Sequence, residues 1–126
     1  MAAEPLGLLL ISGGHERAHY AFVLAAGAAA LGRPVVLFAT NEGCRALLAD
    51  LSTIADAGRE DDVRAAGVAG LTELRAAAME LGVRLIACEA GLRIAGLAPE
   101  ALAAGVEVAG VATFLGAVAG GQIVSL

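Results

Sequence analysis

Short apolar runs alternate along the chain with longer stretches in which apolar positions recur at helical spacing. Residues 6–11 are Leu and Ile apart from Gly7, and Ser12-Gly13-Gly14 follows. An unbroken run of that length predicts a strand buried on both faces, as in a parallel sheet. A helix is expected over 15–31. Ser12 or Gly14 can cap it, Glu16 suits its positive end, and Gly32 stops it before Pro34. The run "VVLFA" at 35–39 predicts a second strand, 40–43 a turn and 44–50 a helix. Residues 51–70 show the least regular pattern. Their cluster "GREDDVR", at 58–64, is expected to face water or to be mobile.

The alternation then resumes. Residues 72–81 predict a helix with Leu74, Ala77, Ala78 and Leu81 on one face and Gly82 as its stop. A third strand is expected at 83–87, a short helix at 89–95 ending at Gly96, and another at 99–104 opened by Pro99. Residues 106–109 predict a fourth strand, 110–119 lead into a helix, and 122–126 predict the last strand. Strands separated by helical patterns give an α/β class: a three-layer α/β/α arrangement with a mostly parallel sheet of about five strands and right-handed crossovers. No repeat and no second domain are evident, so 1–126 reads as one domain.

Composition narrows the function. Apolar residues make up 59% of the 126 and charged ones 17%, enough for a real core. The net charge of −5 and the 3% of aromatic residues argue against nucleic acid and against an anionic membrane surface. Residues 108–126 carry no charge, a length that suits a membrane span. Gly110, Gly116, Gly120 and Gly121 interrupt them, Gln122 and Ser125 are polar, and no basic flank anchors either end. A buried helix followed by a buried strand is expected instead, without stable membrane insertion. The mean hydropathy of +0.80 is high for a lone subunit, which points to a homo-oligomer. The two cysteines form no CxxC, and no basic segment opens the chain, so a reducing cytoplasm is expected.

Ligands of an open parallel sheet bind beyond the carboxyl ends of its strands. That rule gathers Ser12, Gly13, Gly14 and His15 after the first strand. Thr40, Asn41, Glu42, Gly43 and Cys44 follow the second, Cys88 and Glu89 the third, and Gly110 and Thr113 the fourth. Cys88 stands where a strand meets a helix, and free N–H groups there favour an anion. It is either a nucleophilic thiol or a small core residue. A Glu89 charge aimed at its sulfur would oppose the thiolate. Cys44 either resolves an intermediate on Cys88 or simply packs. Ser12-Gly13-Gly14 can offer N–H groups to an anion, with His15 as donor, acid or base. No metal spacing, GxSxG, P-loop or dinucleotide fingerprint is present, so neither a metal nor a cofactor is expected.

Several stretches carry a family resemblance. They are the first strand with Ser12-Gly13, "VVLFATNEG" at 35–43, "ELGVRLIACEAGLRIAGL" at 80–97 and "GVEVAGVATFL" at 105–115. Together they resemble the DsrE/DsrF-like family of small sulfur-relay proteins, in particular a subgroup often labelled peroxiredoxin family. The resemblance covers most of the chain. It implies that Cys88 carries sulfur as a persulfide between donor and acceptor proteins, and that the subunits form trimers or hexamers. The subgroup usually has a neutral polar residue and a nearby serine after the cysteine, whereas Glu89, Ala90 and Gly91 follow here. Peroxidase chemistry is not implied, because no threonine and arginine stand in the usual spacing beside the cysteine. Two readings result: a cytoplasmic sulfur carrier using Cys88, or a non-catalytic module of the same fold that binds a small anion or nucleotide, with inert cysteines.

Overall fold

The computed structural model describes residues 3–126; Met1 and Ala2, at the start of the expected 1–126 unit, lie outside the described residues. Its strands are β1 (Leu6–Leu10), β2 (Val35–Ala39), β3 (Arg84–Cys88), β4 (Glu107–Ala109) and β5 (Gln122–Ser125). They form one sheet in the order β4-β3-β2-β1-β5, parallel at every pairing. The helices are α1 (His15–Ala30), α2 (Arg59–Ala65), α3 (Leu71–Glu80), α4 (Glu89–Ala95) and α5 (Val111–Ala117).

Strand order explains the layers. From β1 to β4 each crossover steps the same way across the sheet, so right-handed connections put their helices on one face. The last connection reverses direction, and α5 lands on the other. Side-chain alternation in β2 shows both faces at once. Val35, Leu37 and Ala39 join a core with Phe22 and Ala25 of α1, Leu71 and Ala78 of α3, and Leu92 of α4. Val36 and Phe38 point the other way, into a smaller core with Ile86, Cys88, Phe114 and Val118. There the Phe38 and Phe114 rings stack at 5.0 Å between centroids, 10° apart.

Four regions depart from the expected pattern. Residues 44–50 do not form an α-helix; a 3-10 helix runs Asn41–Leu47 instead and a shorter one Leu51–Thr53. The helix expected at 99–104 is a single 3-10 turn, Pro99–Ala101. The charged cluster at 58–64 mostly faces water, as expected, but does so as the helix α2, from which Glu60 turns toward His15. Finally, α5 and β5 are not buried. Val111, Leu115 and Ile123 are exposed, because β5 is an edge strand and no second helix flanks α5 on its face of the sheet. Among the described residues, no helix is long and apolar enough to cross a membrane.

Candidate functional site

Cys88 is both the last residue of β3 and the N-cap of α4. Its backbone is still extended (φ −66°, ψ 123°), while its Sγ accepts the N–H of Gly91 at 3.3 Å. Sulfur thus takes the place usually filled by a serine or aspartate oxygen, satisfying one of the free donors of the helix start. The side chain lies in the smaller core beneath α5, 8% exposed.

Gly91 ties this turn to the neighbouring loop. A Cβ there would come within 2.4 Å of both the Asn41 nitrogen and Thr40 Oγ1. Only glycine lets the first turn of α4 rest on the end of β2. The Thr40 hydroxyl donates to Asn41 Oδ1 at 3.2 Å, and Asn41 adopts a left-handed backbone (φ 53°) as it opens the 3-10 helix. Asn41 is therefore brought to the Cys88 turn.

The two carboxyl-edge residues nearest Cys88 in sequence or charge behave differently. Glu89 turns along the outside of α4, where its carboxylate accepts from Arg93 at 2.8 Å. The pair spans one helical turn, and its opposite charge offsets that of Glu89. Cys44 is fully buried in the larger core, across the sheet from the Cys88 side chain. Its thiol donates to the Ala39 carbonyl at 3.4 Å. Burial, reinforced by charge on Cys88, pushes the Cys44 thiol up to about 11. At neutral pH Cys44 is a protonated, solvent-shielded thiol. Both cysteines are free.

His15 is drawn elsewhere. Its ring is buried, 2% exposed, and Nε2 donates to Glu60 Oε1 at 2.9 Å on the side of α2 and α3. The preceding loop is closed on itself: Gly14 N–H donates to Ser12 Oγ at 3.1 Å, and His15 N–H donates to the Ala55 carbonyl at 2.9 Å. The Gly13 carbonyl in turn accepts from Ala55 N–H. Of the Ser12-Gly13-Gly14 N–H groups expected to face an anion, those of Ser12 and Gly14 are thus engaged within the protein, the former with the Leu126 carbonyl at 3.4 Å. The structure gathers Cys88, Gly91, Thr40 and Asn41 at one place and directs His15 to another.

Three participants escaped the sequence reading. Arg93 had a legible signal, since it stands four residues after Glu89 on a short helix. Gly91 had a weaker one, a glycine three residues after the cap. Glu60 had none, because its partners His15, Leu71 and Thr72 are distant in sequence.

No curated protein matches the chain in sequence. In fold it is similar to the crystal structure of the ychN protein from E. coli, with a TM-score of 0.71 at 11% identity over 98% of this chain and 99% of that one. A protein of unknown function from Methanobacterium thermoautotrophicum, MTH1491, gives a TM-score of 0.61 at 18% identity, again over 98% and 99%. The family model of the DsrE/DsrF/DrsH-like proteins matches residues 44–124, a span that holds Cys44, Cys88, β3, β4 and all but the last residue of β5. With well over half of its length matched, the chain belongs to the DsrE/DsrF/DrsH-like family.

Proposed function

We propose that this protein is a sulfur carrier whose working group is Cys88. The observation that carries the reading is the placement of its Sγ at the start of α4, accepting the Gly91 N–H at 3.3 Å. That N–H holds the sulfur where β3 ends and α4 begins, at the carboxyl edge where an open parallel sheet binds its ligands. Membership of a family of sulfur-relay proteins supports the same assignment. The Glu89–Arg93 pair removes the objection that a neighbouring carboxylate would oppose the charge.

The chemistry is an exchange without net oxidation. The Cys88 thiolate attacks the outer sulfur of a donor persulfide, R–S–SH. A new S–S bond forms on Cys88, the donor S–S bond breaks, and the donor leaves as a thiol. An acceptor thiolate then attacks the outer sulfur on Cys88 and releases the Cys88 thiolate. Cys44, protonated and buried, takes no part. The partners are a donor and an acceptor protein in a reducing cytoplasm. The carrier works as a homo-oligomer, a trimer or hexamer; exposed apolar side chains such as Ile11, Val111, Leu115 and Ile123 support that part of the reading.

Intact mass spectrometry tests it. Treatment with a sulfane donor should add about 32 Da per sulfur atom to the wild type and to C44S. No gain on the wild type, or an equal gain on C88S, would sink the assignment. The burial of Cys88, 8% exposed, favours the second reading, an anion- or nucleotide-binding module with inert thiols. Under that reading iodoacetamide reaches Cys88 only after denaturation.

A further inference from the structure

α2 is seven residues long, and none of them is buried. Isolated helices of that length do not persist in water, so its position must come from contacts. Those contacts are polar, and most converge on one carboxylate. Glu60 accepts from His15 Nε2 at 2.9 Å, from Leu71 N–H at 2.7 Å, and from the Thr72 N–H and hydroxyl at 3.1 and 3.2 Å. It therefore caps α3, whose own N-cap is Gly70 without a side chain, and pins α2 to α1 in the same step. The remaining ties, Arg59 to Glu16 and Arg64 to Glu73, are solvent-exposed ion pairs that hold little.

The segment is also bounded by two left-handed residues. Asp56 before it has φ 58° and Gly67 after it φ 77°. For a residue with a Cβ, such as Asp56, that conformation is disfavoured and persists when surrounding contacts enforce it. Beneath the segment lies His15, the one buried ionisable side chain among the described residues apart from the two thiols. It borders two open pockets, one of about 280 Å³ that Ile54, Glu60, Leu71 and Thr72 also line, and one of about 390 Å³ that Arg59, Val63 and Val68 also line.

We propose that α2 is a hinged lid over His15, turning at Asp56 and Gly67 and latched shut by the Glu60 carboxylate. With the latch formed, the imidazole is sealed. With the latch broken, α2 swings away as a unit, the two pockets join, and the His15 ring becomes accessible. The larger core and the sheet keep their structure, because no α2 side chain belongs to that core.

Hydrogen exchange read by peptide, together with diethyl pyrocarbonate labelling of His15, tests the lid. In E60Q, exchange over residues 59–67 and labelling of His15 should both rise by about tenfold or more, while β1, β2 and the second half of α1 keep wild-type protection. Equal rates in E60Q and wild type, or a rise spread evenly over the whole chain, would overturn the proposal. If E60Q does not fold, the wild type decides. Its α2 amides should exchange well ahead of those in β1 and β2, and His15 should label at the rate of α2 opening. Protection of α2 equal to that of the strands would overturn the proposal as well.

Discussion

The face of the sheet under α1, α3 and α4 and the face under α5 are built to different depths. The first buries Leu8, Leu10 and Leu37 completely beneath a sixteen-residue helix and its neighbours. The second is closed by a seven-residue helix that contributes Phe114, with Val118 at its C-cap, while Val111 and Leu115 on the same helix stay exposed. Both cysteines sit at the carboxyl edge, one on each side. Cys44 belongs to the deep face, where burial pushes its thiol up to about 11. Cys88 belongs to the thin face, packed with Phe114 and Val118 beside α5. On the proposed function, the depth of cover on its side of the sheet, and not position along the edge, selects the thiol that reacts.

Matched truncations put that contrast under test. F22A on the deep face and F114A on the thin face should each cost about 3–5 kcal/mol in denaturant unfolding. The two should part on thiol chemistry. F114A removes the ring stacked on Phe38 beside Cys88, so iodoacetamide should modify Cys88 faster in the folded variant. F22A should leave that rate unchanged. Equal acceleration in both variants would break the distinction between the faces.

A smaller effect is expected at the turn that presents the sulfur. In G91A the new methyl would meet Asn41 and Thr40 at 2.4 Å, and much of that contact is with backbone. A loss of about 1–3 kcal/mol should follow, accompanied by altered Cys88 reactivity as its N–H donor shifts. G27A offers the opposite sign on the deep side. Gly27 lies within α1 with open space around it, so alanine should stabilise by about 0.5–1 kcal/mol and raise Tm without touching Cys88.

Acid separates the two regions a further way. The Glu60 carboxyl is held down from 4.5 to about 2; its burial opposes this, and hydrogen bonds from His15, Leu71 and Thr72 outweigh the burial. Its folded-state value is depressed, so its contribution is complete above about pH 4.5 and is lost as pH falls toward 2. The other charges around it are Arg64 on its own helix and Glu73 on α3. Stability measured across that range should decline more steeply in wild type than in E60Q. Parallel profiles would show that the carboxylate is not the group being lost.

How much of this was legible beforehand follows the same division. β2 and α1 could be read closely because an unbroken apolar run and a glycine-ended helix are local signals. Cys88 was placed one residue past its strand, and in the fold it ends the strand and caps the helix together, since an N-cap residue keeps extended backbone angles. The family, too, was legible from the blocks around Cys88 and Thr113. By contrast, the inward turn of Glu60 depends on His15, which lies 45 residues away, and no local pattern encodes such a pairing. The expected burial of residues 108–126 failed for a different reason. Apolar composition records that a surface seeks cover without recording whether this chain supplies it. The grouping of His15 with Cys88 rested on the edge rule alone, and the hydrogen bonds of the first loop direct that ring toward α2 instead.

The central claim is that one thiol of the two carries sulfur. Peptide mapping after brief exposure to a sulfane donor, with alkylation to trap persulfides, reads it directly. The account predicts an extra sulfur on the peptide holding Cys88, removable by a thiol reductant, and none on the peptide holding Cys44. Extra sulfur on Cys44, or on neither peptide, would contradict it.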